Sequence, residues 1–479
     1  MSNEITADIV VIGGGSGGLS VAAGASQMGA DVVLLESGKM GGDCLNYGCV
    51  PSKAMIAAAH AAHAVRNADR FGVDAGEPSV DFEKVHDHVH GVIGAIAPHD
   101  SVERFEGMGV RVMQERGKFV GANKVQAGDT VITAKRIVIS TGSRAGVPPI
   151  PGLADVPFLT NETVFDKKTA PDHLIVIGGG PIGSELAQAH RRLGCKVTIL
   201  EMFAVLGKDD PELTEVVKNR MKAEGIVMRE GIKIVRVERA DSGVTVLIED
   251  PNNEVGGEEE RIDGSDLLVS AGRAPNLEGL DLEAAGIEYD KRGITVDARL
   301  RTTNKKIFAI GDAAGGAQFT HLAGYHAGIV IRNVLFRLPA KVNYSALPWV
   351  TYTDPELAHV GMTEAQAREK HSDIRVLRHP FAENDRAQAV RETDGMAKVI
   401  TTAKGVIVGA SIVGPHAGEL LQSWILPIQK KMKIGAVAGL IIPYPTLGEV
   451  NKRAAGSYYT PKLFSEKTKK IVRFLLKLG

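Results

Sequence analysis

Cysteine is scarce in this chain, with three in 479 residues. Three cannot build the disulfide framework of a small secreted protein, so the chain is read as belonging to a reducing compartment, the cytoplasm. Aromatic residues are sparse too: 2 Trp, 8 Tyr and 13 Phe against 55 glycines. That balance suits close backbone approaches more than broad aromatic surfaces. No sign of charge dominates. Lys and Arg total 56 and Asp and Glu 57, for a formal net charge of −1. Nothing here argues for nucleic acid or for electrostatic capture by a membrane. There is also no run of about 18 apolar residues, so no membrane span is expected. The first apolar run follows Glu4 and Asp8 and is broken at once by glycines, which excludes a signal peptide. What remains is an ample core spread over two to four domains.

The glycines are not scattered. A short β-branched run, Ala7 to Ile12, ends in Gly13-Gly14-Gly15-Ser16-Gly17-Gly18. A helical stretch from Leu19 to Met28 follows, then an apolar run from Asp31 to Leu35, then Glu36. This is strand, glycine turn, helix, strand, acid. Gly13 makes the turn, Gly15 lets the backbone approach a pyrophosphate, Gly18 lets helix pack on strand, and Glu36 can accept from a ribose hydroxyl. The unit recurs as Leu174 to Ile177, the turn carrying Gly178, Gly180 and Gly183, a helix to about Leu193, a strand from Lys196 to Leu200, and Glu201. In both copies the acid follows the first glycine by 23 residues. Two copies imply two dinucleotide sites, a flavin and a nicotinamide.

Two of the three cysteines lie between Gly41 and Lys53, in GGDCLNYGCVPSK. Four residues separate Cys44 from Cys49, a span that a disulfide can close if the backbone brings the Cβ atoms together. Asn46, Gly48 and the pair Gly41-Gly42 permit the tight turns required. Pro51 suits a helix start, and the run from Ala54 to Ala64 is rich in helix formers. A cysteine at a helix N-terminus has a lowered pKa and a reactive sulfur. Taken alone, the pair is also compatible with two buried, unpaired thiols. Cys195, at a strand entrance, is read as a buried filler.

Residues 70 to 130 read as helices and then a small hairpin region. Arg136 to Ser140 is a strand entering Thr141-Gly142-Ser143, and Pro148, Pro149 and Pro151 mark a crossover. Residues 231 to 269 alternate as antiparallel strands. Ser270 to Asn276 returns the chain to the first domain, Ile307 to Ile310 is a short strand before Gly311-Asp312, and another domain opens near Pro348. The fold class is therefore α/β: two Rossmann-like dinucleotide-binding domains and a C-terminal α+β domain. The expected division is 1–150 with 271–345, then 151–270, then 346–479. His359 and His416 have no neighbours that suggest a metal site, and none is expected.

These motifs, GGDCLNYGCVPSK above all, together with TGS at 141–143, SAGRAPN at 270–276 and IFAIGD at 307–312, resemble the FAD-dependent pyridine nucleotide-disulfide oxidoreductases over nearly the whole length. That family includes dihydrolipoyl dehydrogenase, glutathione reductase and mercuric reductase. The resemblance implies that Asp312 binds the ribityl chain, that Lys53 lies near flavin N5 and pairs with Glu185, and that amides at Thr320 and His321 hold flavin O2. Gly42, Gly117, Thr141, Gly142, Ser143 and Gly272 fall at further cofactor-binding positions. It implies that Cys49 is the charge-transfer thiol facing the flavin and Cys44 the exchanging thiol. It also implies an obligate homodimer, in which one subunit's C-terminal domain completes the other's active site. Three functions follow: a metal-ion or small-disulfide reductase like mercuric reductase, a dihydrolipoyl dehydrogenase, or a low-turnover flavin redox sensor. Intact Lys53, Glu185 and Glu449 argue against the third. Glu201 favours NAD(H), since an acid repels a ribose 2′-phosphate, and Met202 and Gly207 stand where phosphate-binding relatives carry arginines.

The chain departs from the family at named places. Asp43 replaces the threonine of most relatives, and Tyr47 sits inside the cysteine loop. Disulfide-reducing relatives carry His-Pro with a glutamate five residues on; here the segment is Tyr444-Pro445-Thr446-Leu447-Gly448-Glu449. Mercuric reductases also have tyrosine there, but no cysteine follows Cys195, so their C-terminal cysteine pair is missing, as is their N-terminal metal-binding domain. Tyrosine, with a pKa of about 10, is a poor base near neutrality. His321 and His326 are the candidates to replace it, with a structural role the stronger expectation for both. Finally, Lys467 to Leu478 places Ile471, Phe474, Leu475 and Leu478 on one helical face, with Lys469, Lys470, Arg473 and Lys477 elsewhere. Such a helix can lie on an anionic membrane or a partner, although packing on its own protein is the expected use.

Overall fold

The structure is a computed structural model that describes residues 3–250 and 259–478. The chain forms two compact units, one of residues up to 179, 189–202 and 231–342, the other of 180–188, 203–230 and 343 onward.

In the first unit the strand Asn3–Ile12 runs through a seven-stranded sheet. Val32–Leu35 and Thr130–Ile139 flank it in parallel, with Val10 opposite Val33 and Ile12 opposite both Leu35 and Ile139. Val110–Met113 extends one side, Ile307–Ala309 pairs with Thr130–Ile139, and the hairpin Gly117–Gly121 with Lys124–Ala127 is antiparallel. A parallel sheet is covered on both faces and so needs apolar residues at consecutive positions. Val10, Ile12, Val33 and Leu35 enter one core, and Ile9, Val11, Val32 and Leu34 the other. The first strand starts at Asn3 rather than Ala7, because residues 3–6 continue the pairing with 130–133 although their side chains are largely solvent-facing.

The glycine turn opens the helix Ser16–Gln27, three residues before its expected start. At Gly13, φ is +108°, and a Cβ would lie 2.4 Å from the Ser140 carbonyl oxygen; a Cβ at Gly18 would lie 1.9 Å from the Gly13 oxygen. Both positions exclude any side chain, for the packing reason the motif supplies. The second copy repeats the plan with His173–Ile177, Pro181–Arg192 and Lys196–Glu201, Leu174 opposite Val197. Lys233–Ala240, Gly243–Glu249 and Glu260–Gly264 form the antiparallel sheet expected. Asp266–Val269 does not join it. This strand pairs in parallel with His173–Ile177, and its leucines and valine are buried consecutively, the pattern of a two-sided parallel strand.

The helix after the cysteines runs Cys49–Arg66, two residues earlier than Pro51 suggested. Pro51 is tolerated within the first turn because those N–H groups have no intrahelical acceptor. Cys195 is buried ahead of Lys196–Glu201, as a filler should be.

The second unit contains a five-stranded antiparallel sheet that opens at Pro348–Thr351 and ends, in chain order, at Ile407–Gly414. Its core holds Trp424, Phe381, Val360 and Ile412. The Trp424 indole N–H donates to Asn451 Oδ1 at 2.9 Å, so the largest buried side chain leaves no polar atom unsatisfied. Asn451 belongs to the helix Glu449–Ser457, which directly follows the Tyr444 segment.

Candidate active site

Cys44 sits in the short helix Gly42–Asn46, and Cys49 is the first residue of the helix Cys49–Arg66. The loop around them is tied down from inside. Asn46 Nδ2 donates to the carbonyls of Met40 and Gly42 at 3.0 and 2.9 Å. It is also pressed onto the first glycine turn: Gly41 N donates to Gly14 O at 2.9 Å, and a Cβ at Gly42 would lie 2.7 Å from Gly15 Cα. The glycines at 15 and 42 thus bring the cysteine loop and the dinucleotide turn to backbone contact.

Both cysteines are free thiols, Cys44 half-buried and Cys49 exposed, and their side chains hydrogen-bond each other. The bond is not symmetric in effect. Cys49 is lowered to about 6, first by the hydrogen bond from Cys44, then by Thr320 and by the positive charge of Lys53, against the opposing effect of burial. Cys44 is pushed up, by the same hydrogen bond and by burial. At neutral pH the pair is one thiolate, Cys49, beside one thiol, Cys44. Thr320 Oγ1 lies 3.4 Å from the Cys49 sulfur and begins the helix Thr320–Val334, whose N-cap has no side-chain acceptor. The thiolate therefore meets two helix N-termini, its own and that of residue 320. Lys53, one turn on from Cys49, donates to Ser52 Oγ at 3.3 Å.

A cation network missing from the sequence reading stands behind the loop. Arg273 Nη2 lies 3.0 Å from Asp43 Oδ2 and donates to the Ser143 carbonyl at 2.9 Å, while Arg273 Nε donates to Ser143 Oγ at 2.8 Å. Ser143 Oγ donates to Asp312 Oδ2 at 2.5 Å, and burial raises the Asp312 pKa. Asn161 Nδ2 donates to Asp43 Oδ1 and to the Tyr47 carbonyl at 3.2 and 3.0 Å. One guanidinium thus links the cysteine motif, TGS, SAGRAPN and IFAIGD. The departure at Asp43 was the available signal: a carboxylate in place of a hydroxyl calls for a cation. Breaking the pair leaves Arg273 largely buried and under-compensated. Asp43→Asn should lower stability by about 1–2 kcal/mol, less than a fully buried pair because Asp43 is partly exposed. Thermal unfolding of the FAD-loaded protein measures this, and an unchanged midpoint would show the pair to be idle.

The residues fit a bound dinucleotide. The helix Ser16–Gln27 begins at Gly15, which offers no side-chain cap, so its first amides keep the donors that a pyrophosphate takes. A Cβ at Gly15 meets nothing closer than 3.8 Å, and one at Gly142, Gly180 or Gly272 nothing within 4 Å. Gly117 instead opens a strand, where a Cβ would strike Leu35 at 2.7 Å, a packing constraint. Gly183 is buried in the turn of the helix Pro181–Arg192. The two acids behave alike: Glu36 Oε2 accepts from Gly14 N at 2.6 Å and Glu201 Oε2 from Gly179 N at 2.7 Å. Glu36 Oε1 also accepts from Gly38 N at 2.6 Å. Each acid stiffens its own glycine turn.

His326 is not a spare base. It is buried, its Nδ1 accepts from Gly311 N at 3.1 Å, and burial holds it near 4. His321 is exposed and stacks on Phe319, ring centres 5.2 Å apart. In the second unit, Tyr444 is exposed, its peptide bond to Pro445 is cis, and its hydroxyl donates to Asp385 Oδ2 at 2.9 Å. That carboxylate raises the phenol pKa further from neutrality. Glu449 opens the helix Glu449–Ser457, and Glu185 Oε1 accepts from Tyr352 N at 2.9 Å.

The profile of the pyridine nucleotide-disulphide oxidoreductases matches residues 7–327. The chain belongs to that family. The family's dimerisation domain matches residues 347–455, which supports a homodimer. As a member, the protein is an FAD-dependent oxidoreductase that uses NAD(P)H. It is 36% identical over 466 residues to a dihydrolipoyl dehydrogenase of Geobacillus stearothermophilus, covering 94% of this chain and 96% of that one. It is 34% identical over 450 residues to a mercuric reductase of Bacillus cereus, covering 93% and 70%. Among solved structures it is similar to LpdA of Mycobacterium tuberculosis, with TM-score 0.85, 26% identity and coverage of 95% and 99%. The HOCl-induced flavoprotein disulfide reductase RclA of Escherichia coli matches with TM-score 0.83, 26% identity and coverage of 94% and 99%. No helix among the described residues is long and apolar enough to cross a membrane.

Proposed function

We propose that this oxidoreductase draws electrons from NADH and delivers them through Cys44 and Cys49 to a soft metal ion or a small disulfide. The observation that carries the reading is geometric: Cys44 in the short helix Gly42–Asn46 stands beside Cys49 at the N-terminus of the helix Cys49–Arg66, with Thr320 Oγ1 at 3.4 Å from the Cys49 sulfur. The lowered Cys49 and raised Cys44 pKa values agree with it. FAD, when bound, relays the electron pair between the nicotinamide and the cysteines. In the reductive half, the hydride equivalent of NADH (two electrons and one proton) converts the Cys44–Cys49 disulfide to one thiol and one thiolate, releasing NAD⁺. In the oxidative half, the Cys44 sulfur attacks the substrate disulfide as its proton passes to the departing substrate sulfur, the Cys49 thiolate closes on Cys44, and one substrate thiol and one thiolate leave. A divalent soft metal ion instead takes the electron pair from the two sulfurs, which re-form the disulfide and release one proton. Residues 1–150 with 271–345 hold the flavin, 151–270 the nicotinamide, and 346–479 pair the subunits. Asp312, Thr141, Gly142, Ser143 and Lys53 serve the flavin, and Tyr444 and Glu449 act at the other subunit's Cys44. The compartment is the reducing cytoplasm.

Tyr444 favours the metal-ion or small-disulfide substrate over dihydrolipoamide. A phenol bound to Asp385 can donate a hydrogen bond, but it cannot collect the proton that dihydrolipoamide oxidation releases. Lipoamide, glutathione disulfide and Hg(II), assayed side by side with NADH, test this; lipoamide as the fastest substrate would reverse the order.

NAD(H) is the proposed nicotinamide because Glu201 ends its strand with a carboxylate and Met202 follows it. Catalytic efficiency with NADH should exceed that with NADPH by about tenfold or more, the cost of setting a carboxylate against a phosphate. The reverse ratio, measured on the FAD-loaded enzyme, would refute the assignment.

A further inference from the structure

The last helix described, Glu466–Leu475, has no buried residue. The expectation that its apolar face packs on its own protein is not met within the described chain. Ile471, Val472, Phe474, Leu475, Leu476 and Leu478 are 47% to 76% exposed, and Leu463 and Phe464, just before the helix, are 58% and 70% exposed. Lone exposed apolar residues need no explanation, but a contiguous set does. At 100° per residue, Phe474, Leu478, Ile471, Leu475 and Val472 fall on one arc. Lys469, Arg473, Lys477 and Lys470 fall on the opposite one, together with Glu466; Lys467 falls within the apolar arc, between Phe474 and Leu478, and Leu476 lies outside it, beside Lys469. The segment from 466 to 478 therefore carries five cations and one acid, in a chain whose net charge is −1. The charge is concentrated here and nowhere implied by the whole.

We propose that residues 463–478 dock the protein on an anionic phospholipid surface. The helix would lie in the interface plane, its apolar arc among the acyl chains and its lysines at the headgroups. Complementary charge selects an anionic lipid surface, since five cations against one acid flank and oppose the apolar arc over residues 466–478. The family's dimerisation profile also stops at residue 455, short of this helix. The Ser465 hydroxyl accepts from Thr468 N and caps the helix, so the amphipathic face is formed before any surface is met.

The test is co-sedimentation of the FAD-loaded homodimer with two kinds of vesicle, phosphatidylcholine alone and phosphatidylcholine with one-third phosphatidylglycerol. The full chain should bind the anionic vesicles about tenfold or more better than the neutral ones, and salt should weaken the binding. A chain ending at residue 462 should lose it, and so should Phe474→Asp with Leu475→Asp, which leaves the length intact. Retained flavin absorbance shows that both variants fold. Equal vesicle binding by the full chain and both variants would overturn the proposal. So would no vesicle binding accompanied by a shift from dimer to monomer in the variants, which would assign the face to a second copy.

Discussion

Cys49→Ser in the FAD-loaded enzyme is expected to cut NADH-driven disulfide or metal-ion reduction by more than about 10³-fold, because no thiolate remains to close on Cys44 and release the product. The variant should still bind flavin, since the serine is isosteric and the glycine turn is untouched. In the reduced wild type, long-wavelength absorbance from thiolate to flavin should follow the ionisation of Cys49. The sign is fixed by the direction of the shift. The folded-state pKa is lowered to about 6, so the thiolate is present above that value and is lost as pH falls through it. Cys44→Ala removes the first cause of the lowering, so the midpoint should move upward toward the ordinary thiol range. A midpoint that stays near 6 in Cys44→Ala would mean that Thr320 and Lys53 alone hold the charge. Full reductase activity in Cys49→Ser would remove the redox pair from the account altogether.

The second large effect concerns Tyr444. Tyr444→His should raise dihydrolipoamide turnover by about ten- to a hundredfold, approaching the 10²–10⁴ that a general base is worth. It should also add a limb to the pH–rate profile near pH 6.5, where histidine titrates. Tyr444→Phe should change disulfide turnover little, because the phenol bound to Asp385 stays protonated through the neutral range. Wild-type oxidation of dihydrolipoamide as fast as that of a histidine-bearing relative would show that another group takes the proton. His326 is already removed from that role by its buried bond to Gly311 N, which leaves His321.

Much of the first unit could be read from sequence because its signals are local. The glycine turns, the acids at fixed spacing and the unbroken valine and isoleucine runs each specify one piece of backbone without help from distant residues. The same local reading failed at Asp266–Val269, which follows three antiparallel strands in sequence but takes its partner from His173–Ile177, some 90 residues earlier. The helix start at Cys49 was missed by two residues because a proline marks where a helix can begin, not where it must. Of the site, the cysteines and the lysine one turn beyond Cys49 were visible as a motif. The partner of Asp43 was not, since an ion pair between residues 43 and 273 leaves no periodicity or spacing to find. Tyr444 was recognised as a replacement, but its bond to Asp385 depends on how two loops of the second unit fold together.

The Arg273 link constrains how this enzyme can be recombined with its relatives. A chimera that takes its cysteine loop from a threonine-bearing parent and keeps the rest of this chain would lose Asp43 and retain the arginine. Among the described residues that guanidinium would then keep Ser143 and, at 3.9 Å, Asp312. Crossover points between residues 43 and 273 therefore separate two halves of one charge balance, and libraries should exchange positions 43, 161 and 273 as a set.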